Sequence, residues 1–392
     1  MHNLAEGEKV AAIRAAALDS SPVAGLTHCH YKYPARFSPK FVSSVIEAYS
    51  KPGDMVLDPY MGGGTTLVEC MSRNRRSAGC DINSLAHFVT RAKLLSISEI
   101  ERMHLRTWAS EVIPRLSYFD SDPKLASVIC EARTRNLNLP KVRALKKFIA
   151  LALISIEELS SANERDFARC ALLNAAQWAL NGRRRQASLN EFRAKIVEAT
   201  LEMLAGATAL CPSERSQSNW FTPNLIHDSA ANISQHEPFA SGDLADLVIT
   251  SPPYPGVHVL YHRWQVDGRK ESPAPYWIAG CYDGQGESYY GFGSRKDPNH
   301  DEYFQQSLST LRAIRTVMKE GAIMVQMLAF SDPQNQIKRY LENMRSSGFQ
   351  ELRRPSGRPL RIWRDVPGRS WHANMQGKTS SAREVVLIHS AV

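Results

Sequence analysis

The sequence predicts an α/β fold interrupted by a long helical insertion, and three observations predict it. Short apolar runs bounded by turn residues alternate with amphipathic segments. The stretch GDMVLDPYMGGGTTLVECMSRNRRSAGCDIN, residues 53–83, reads as strand, glycine turn, helix and strand, which is half of a nucleotide-binding βαβ unit. From about Leu94 to Cys211 the composition turns to Ala, Leu, Glu and Arg, with apolar residues recurring at three- and four-residue steps. With 392 residues, 43% of them hydrophobic, the chain is long enough for one large α/β domain with an insertion, or for two domains.

Taken in order, Met55 to Leu57 form a short buried strand, Gly62 to Gly64 a tight turn, and Thr65 to Arg73 a helix. A second strand, Ser77 to Cys80, ends at Asp81. The helical insertion contains VRALKKFIALALISIEELSSA and DFARCALLNAAQWALNG. The α/β pattern resumes with NLIHDSA near Asp228 and the strand Leu247 to Thr250. A helix around Tyr303 to Lys319, the strand GAIMVQMLAF, the helix QNQIKRYLENMRSSG and the strand REVVLIHS follow. Two stretches resist assignment: Asp267 to His300, and Arg353 to Arg383 with its eight basic side chains, among them Arg361, Arg364, Arg369 and Lys378.

Charge and cysteine usage narrow the setting. A net charge of +9 suits a polyanionic partner. Seven cysteines, an odd number without a C-x-x-C pair, argue against a disulfide framework and for a reduced interior. The N-terminus lacks a basic region followed by an apolar one, and the longest apolar run, FIALALISI from Phe148, is too short to span a membrane. A cytoplasmic protein without membrane contact is therefore expected. His28, Cys29 and His30 have no companions at zinc spacing, so no metal site is expected.

The glycine turn is not a phosphate-cradling P-loop, because no Gly-Lys-Ser/Thr follows. Nor is the dinucleotide spacing G-x-G-x-x-G present. Asp81 ends the next strand, where an acid can accept both hydrogen bonds of a ribose diol while glycines admit a ligand to the backbone. A ligand with a ribose and no phosphate fits, and S-adenosylmethionine meets that description. Further on, the strand Leu247 to Thr250 breaks on Ser251, Pro252, Pro253 and Tyr254; as a bare strand stop the prolines need no other reason, since each fixes φ and lacks an N–H.

In combination these motifs resemble the amino-methyltransferases of DNA, which methylate cytosine N4 or adenine N6. The resemblance covers roughly Tyr31 to Ser96 and Asn224 to His389, and leaves out the helical insertion. DPYMGGGTT looks like the family's cofactor loop, with Tyr60 in place of a phenylalanine; SPPY looks like its catalytic tetrapeptide; HYKYPARFSPKF is similar to the segment beside the methionine end of the cofactor. The resemblance implies a Rossmann-like seven-stranded core that binds S-adenosylmethionine through Pro34, Ala35, Arg36, Phe37, Asp58, Tyr60, Gly62, Gly64, Thr65, Asp81, Asn83 and Asp228. Ser251, Pro252, Pro253 and Tyr254 would carry catalysis. An exocyclic aromatic amine is a poor nucleophile, so acceptors such as the Ser251 hydroxyl and the Pro252 carbonyl would orient it, and Tyr254 would stack on the extruded base. Residues 1–95 then hold the cofactor half of the core, 96–215 the insertion with a DNA-recognition role, and 216–392 the catalytic half.

Serine at the first tetrapeptide position favours cytosine N4; adenine N6 is the alternative. Double-stranded DNA is the implied partner, with room for a cognate restriction endonuclease. An RNA guanine-N2 enzyme and an inactive DNA-binding subunit stay open beside it. Methylation at cytosine carbon 5 is disfavoured, because no Pro-Cys dipeptide supplies a thiolate. The cofactor half precedes the tetrapeptide, and the insertion precedes Asp228 rather than separating the two halves. The insertion with Arg183 to Arg185, the aromatic loop Asp267 to His300 and the arginine-rich segment are all candidates for reading DNA.

Overall fold

The computed structural model describes residues 6–33, 37–129, 135–183, 185–211, 221–255, 263–268, 270–282, 284, 292–293, 297, 299–330, 332–370 and 381–392. Its strands are β1 (Met55–Asp58), β2 (Arg76–Cys80), β3 (Asn224–Ile226), β4 (Ala245–Thr250), β5 (Trp264–Val266), β6 (Lys270–Ser272), β7 (Met318–Ala329), β8 (Phe349–Glu351), β9 (Arg361–Ser370) and β10 (Ser381–Ala391). The main sheet runs β3-β2-β1-β4-β7-β10-β8, seven positions, and β9 also pairs with β10 to make an eight-stranded sheet. From β3 to β7 every neighbour is parallel, and β10 enters antiparallel to β7. β5 and β6 form a separate hairpin.

Alternation along the strands explains the layers. Successive side chains on a strand point to opposite faces. Met55, Leu57, Val248, Met324, Leu328, Val385 and Leu387 join one core, together with Leu311 and Ile314 of the helix Asp301–Thr316 and Tyr340 of the helix Pro333–Ser346. Val56, Leu247, Ile249, Val325, Met327, Val386 and Ile388 face the other way, onto Ile13 of the helix Glu6–Leu18 and Phe41, Val42, Val45 and Ile46 of the helix Pro39–Tyr49. The sheet is thus covered on both faces, as a parallel sheet requires.

The helical stretch lies on the crossover from β2 to β3. Capping boxes at Ser98, Ser161 and Ser188 start the helices Glu99–Thr107, Ala162–Leu180 and Leu189–Leu210. Their core, with Phe148, Phe167 and Phe192, is continuous with Leu85, Phe88 and Val89 of the helix Ser84–Lys93, and it takes in Trp264, Tyr276 and Trp277 from beyond β4. This layer is therefore packed onto the helix Ser84–Lys93 that follows β2 instead of standing apart from the sheet. Both unassigned stretches contain structure: β6 and the helix Ala274–Ala279 in the first, β9 in the second.

Candidate functional site

The carboxyl ends of β1, β2 and β4 lie on one edge of the sheet, where parallel α/β proteins place their ligands. The glycine turn between β1 and the helix Thr65–Ser72 adopts positive φ at Gly62 (+47°) and Gly64 (+73°). A Cβ on Gly64 would stand 2.6 Å from the Thr90 side chain, and one on Gly63 would stand 2.7 Å from Tyr33 Cβ. The turn is fastened from outside: Thr90 Oγ1 donates to Gly62 O (3.1 Å) and Lys93 Nζ to Gly63 O (2.6 Å). At Gly64 both the space and the backbone conformation demand glycine.

Asp81 closes the turn from β2. One carboxylate oxygen accepts the Gly62 N–H (2.9 Å) and the other the Asn83 N–H (2.8 Å). Each oxygen keeps a further lone pair for a ligand hydroxyl. Burial pushes this carboxyl up to about 6, with the two backbone hydrogen bonds pulling against it. Asp58, at the end of β1, is also pushed up to about 6 by burial. It accepts from Thr66 Oγ1 (2.6 Å), Thr250 Oγ1 (3.0 Å) and Tyr60 N (3.2 Å). Thr250 is the last residue of β4, so Asp58 fastens the strand end before Ser251 to the glycine turn.

The remaining expected cofactor residues spread out. Asn83 caps the helix Ser84–Lys93 through Leu85 N (2.9 Å), donates to Tyr33 Oη (3.1 Å) and accepts from Tyr276 Oη (3.1 Å). Its side chain is a hub joining the turn to the helical layer. Burial works to raise the Asp228 carboxyl, but hydrogen bonds from His236 (2.7 Å), Ser229 N and Asn232 outweigh it and leave the group below its ordinary value. Tyr60 turns into the core beside Phe292 and Tyr303. Thr65 is buried in the first turn of its helix, and Phe37 packs on Phe41. Pro34, Ala35 and Arg36 lie outside the described residues.

The tetrapeptide follows β4. Ser251 Oγ donates to Met327 O (3.0 Å) and stands 3.2 Å from Tyr254 Oη. Tyr254 Oη donates to Glu384 Oε1 (3.4 Å), and Glu384 is gripped by Arg364 through Nε (2.7 Å) and Nη2. Tyr303 Oη donates to Pro253 O (3.0 Å). Sequence reasoning missed Thr66, Thr90, Lys93, Thr250, Tyr303, Glu384 and Arg364. Thr66 lies inside DPYMGGGTT, where its hydroxyl gives no signal of its own; the partners of the others lie far away in the chain.

Residues 14–90, which span the helix Pro39–Tyr49, β1, the glycine turn, β2 and most of the helix Ser84–Lys93, match the family model described as DNA methylase, of the N6/N4 type. Over this segment the chain is similar to the N6/N4 family of DNA methylases. Among curated relatives it is 27% identical over 252 residues to the type II methyltransferase M.MvaI of Kocuria varians, covering 58% of this chain and 53% of that protein. It is 36% identical over 69 residues to the type II methyltransferase M.MjaII of Methanocaldococcus jannaschii, covering 17% of this chain and 13% of that protein. The chain thus spans about half or less of the length of these methyltransferases. Among solved structures, TrmN from Thermus thermophilus aligns at a TM-score of 0.34 with 10% identity, over 91% of this chain and 49% of that one, a likeness too low to carry an argument.

Proposed function

We propose that the chain is an S-adenosylmethionine-dependent DNA methyltransferase that modifies an exocyclic amine, cytosine N4, within a short sequence of double-stranded DNA. The observation that carries this reading is the Asp58 junction: one buried carboxylate holds Thr66 beside the glycine turn and Thr250 before Ser251, so a ribose-binding turn and an acceptor-bearing loop share one sheet edge.

The chain's residues fit the cofactor. The glycine turn is clad by Tyr33 and Thr90, and Asp81 retains acceptor capacity beside it for a ligand hydroxyl. When bound, the cofactor supplies an electrophilic sulfonium methyl. Gly62 and Gly64 would hold it through the backbone, and Asp81 would accept its ribose hydroxyls. Ser251 commits its own proton to Met327 O, which leaves its lone pairs to accept an amine hydrogen. That bond, with the Pro252 carbonyl, would turn the amine lone pair toward the methyl, so orientation supplies most of the acceleration. Transfer would form an N–C bond as the S–C bond to the methyl breaks, leaving a neutral thioether, and the proton shed by the amine would pass to solvent water. Tyr254 would support the base by stacking. Serine rather than an acid at the first position of the tetrapeptide supports cytosine over adenine. The insertion and the basic sheet edge are the DNA-reading candidates, and a cognate endonuclease would recognise the same sequence.

The test is methyl transfer from labelled cofactor by the purified protein to unmethylated duplex DNA, with total RNA as the rival substrate. Label in DNA, abolished by Ser251→Ala, is expected. Label in RNA alone would overturn the substrate, and no label in either would overturn the activity.

A further inference from the structure

The geometry points to Glu384 as a positioning residue that keeps the Ser251 hydroxyl an acceptor by drawing the Tyr254 proton away from it. This rests on the reading of the tetrapeptide given above and deepens it. A serine hydroxyl has one proton and two lone pairs, and a tyrosine hydroxyl has one proton to give. The Ser251 proton goes to Met327 O. The Tyr254 hydroxyl stands between Ser251 Oγ (3.2 Å) and Glu384 Oε1 (3.4 Å), so its single proton can turn either way. Turned onto Ser251, it would occupy a lone pair that a target amine needs. Turned onto Glu384, it leaves that lone pair open, and a carboxylate is the stronger acceptor.

The fold holds the carboxylate for this purpose. Glu384 pairs in register with Ala329 at the end of β7 and with Arg364 on β9, so it stands next to the strand whose Met327 carbonyl takes the Ser251 proton. Its side chain is 2% exposed, and Arg364, which also donates to Ala17 O (3.1 Å), grips the oxygen that Tyr254 does not use. Arg364, Glu384, Tyr254 and Ser251 thus form a chain of contacts that fixes which way a hydroxyl points. A glutamine at 384 would offer an N–H to Tyr254 Oη and send the tyrosine proton back onto Ser251.

The experiment is a double-variant cycle in single-turnover methyl transfer, with cofactor and DNA affinity and thermal unfolding measured in parallel. Glu384→Gln is expected to slow transfer at least tenfold with both affinities within about twofold of the parent. Tyr254→Phe carries a loss of its own. In that background Glu384→Gln is expected to add no more than about twofold, because no tyrosine proton remains to be misdirected. A purely structural role would multiply the two losses, and that result, or an unchanged rate in Glu384→Gln alone, overturns the proposal. If Glu384→Gln does not fold, Glu384→Asp, which keeps the charge and draws back from Tyr254, is held to the same expectation and the same contrary results. Ser251→Ala separates the two claims: slow Ser251→Ala beside unchanged Glu384→Gln removes only the role of Glu384, whereas unchanged Ser251→Ala removes the tetrapeptide reading and this role with it.

Discussion

Asp81 spends one lone pair of each carboxylate oxygen on its own loop and offers the rest at the mouth of the glycine turn. Burial raises its pKa to about 6. On the proposed function a ribose diol would be held by the ionised form, so cofactor affinity is expected to fall about tenfold between pH 7.5 and pH 5, following the ionised fraction. Calorimetry across that range checks it. Asp81→Asn should bind more weakly and without the slope, and a slope that survives the substitution would assign the titration elsewhere. For the unliganded fold the sign is reversed. A carboxyl raised in the folded state stabilises it below the ordinary value of 3.8 and loses that contribution as pH rises through about 6. At this scale the glycines, Asp81 and the SPPY stretch were legible, because their chemistry is local. The side chains that steer them were not. His28 and His30, which invite a metal reading, are packing residues: His28 pairs with Glu69 (2.7 Å), and His30 is buried edge-on against Phe167.

The elements themselves follow from the sequence where strand and helix periods are clean, and fail at the far edge of the sheet. β8 and β9 both pair with β10, and between them the chain makes a tight excursion closed by Leu360 N to Leu352 O (2.8 Å) and Arg354 N to Arg358 O (2.8 Å). An edge strand interrupted this way and rich in arginine gives no strand signal. The structure also sorts its basic residues. Arg361 pairs with Glu351 (2.6 Å), Arg364 with Glu384, and Arg383 with Asp365 (3.4 Å). Arg353, Arg354 and Arg358 are exposed on the excursion. If they meet phosphates, replacing all three by alanine lowers the log-log salt slope of DNA affinity by up to roughly 3, at about 0.9 per contact. An unchanged slope removes this edge from the DNA interface, while Arg361→Ala is expected to lower the unfolding temperature and leave the slope as it was.

As a whole, the molecule joins a doubly covered sheet to a helical layer whose core continues into the helix Ser84–Lys93. The strands β1, β2, β4, β7 and β10 were legible as apolar runs between turns, but their order in the sheet was not, because it is set by pairings between distant segments. The continuity of the helical layer was not legible either, because it rests on packing between segments distant in the chain, among them Trp264, and Tyr276 and Trp277 from the stretch crowded with Gly, Tyr and Pro. Among the described residues no helix is long and apolar enough to cross a membrane. Cytosine N4 is the amine proposed for this assembled edge. The most direct measurement is mass spectrometry of nucleosides from the DNA of a methylation-free host that expresses the protein, beside the same host expressing Ser251→Ala. N4-methylcytosine present with the parent protein and absent with the variant is the result predicted. N6-methyladenine would contradict the assignment made from Ser251, and DNA without any methylated base would contradict the account at its centre.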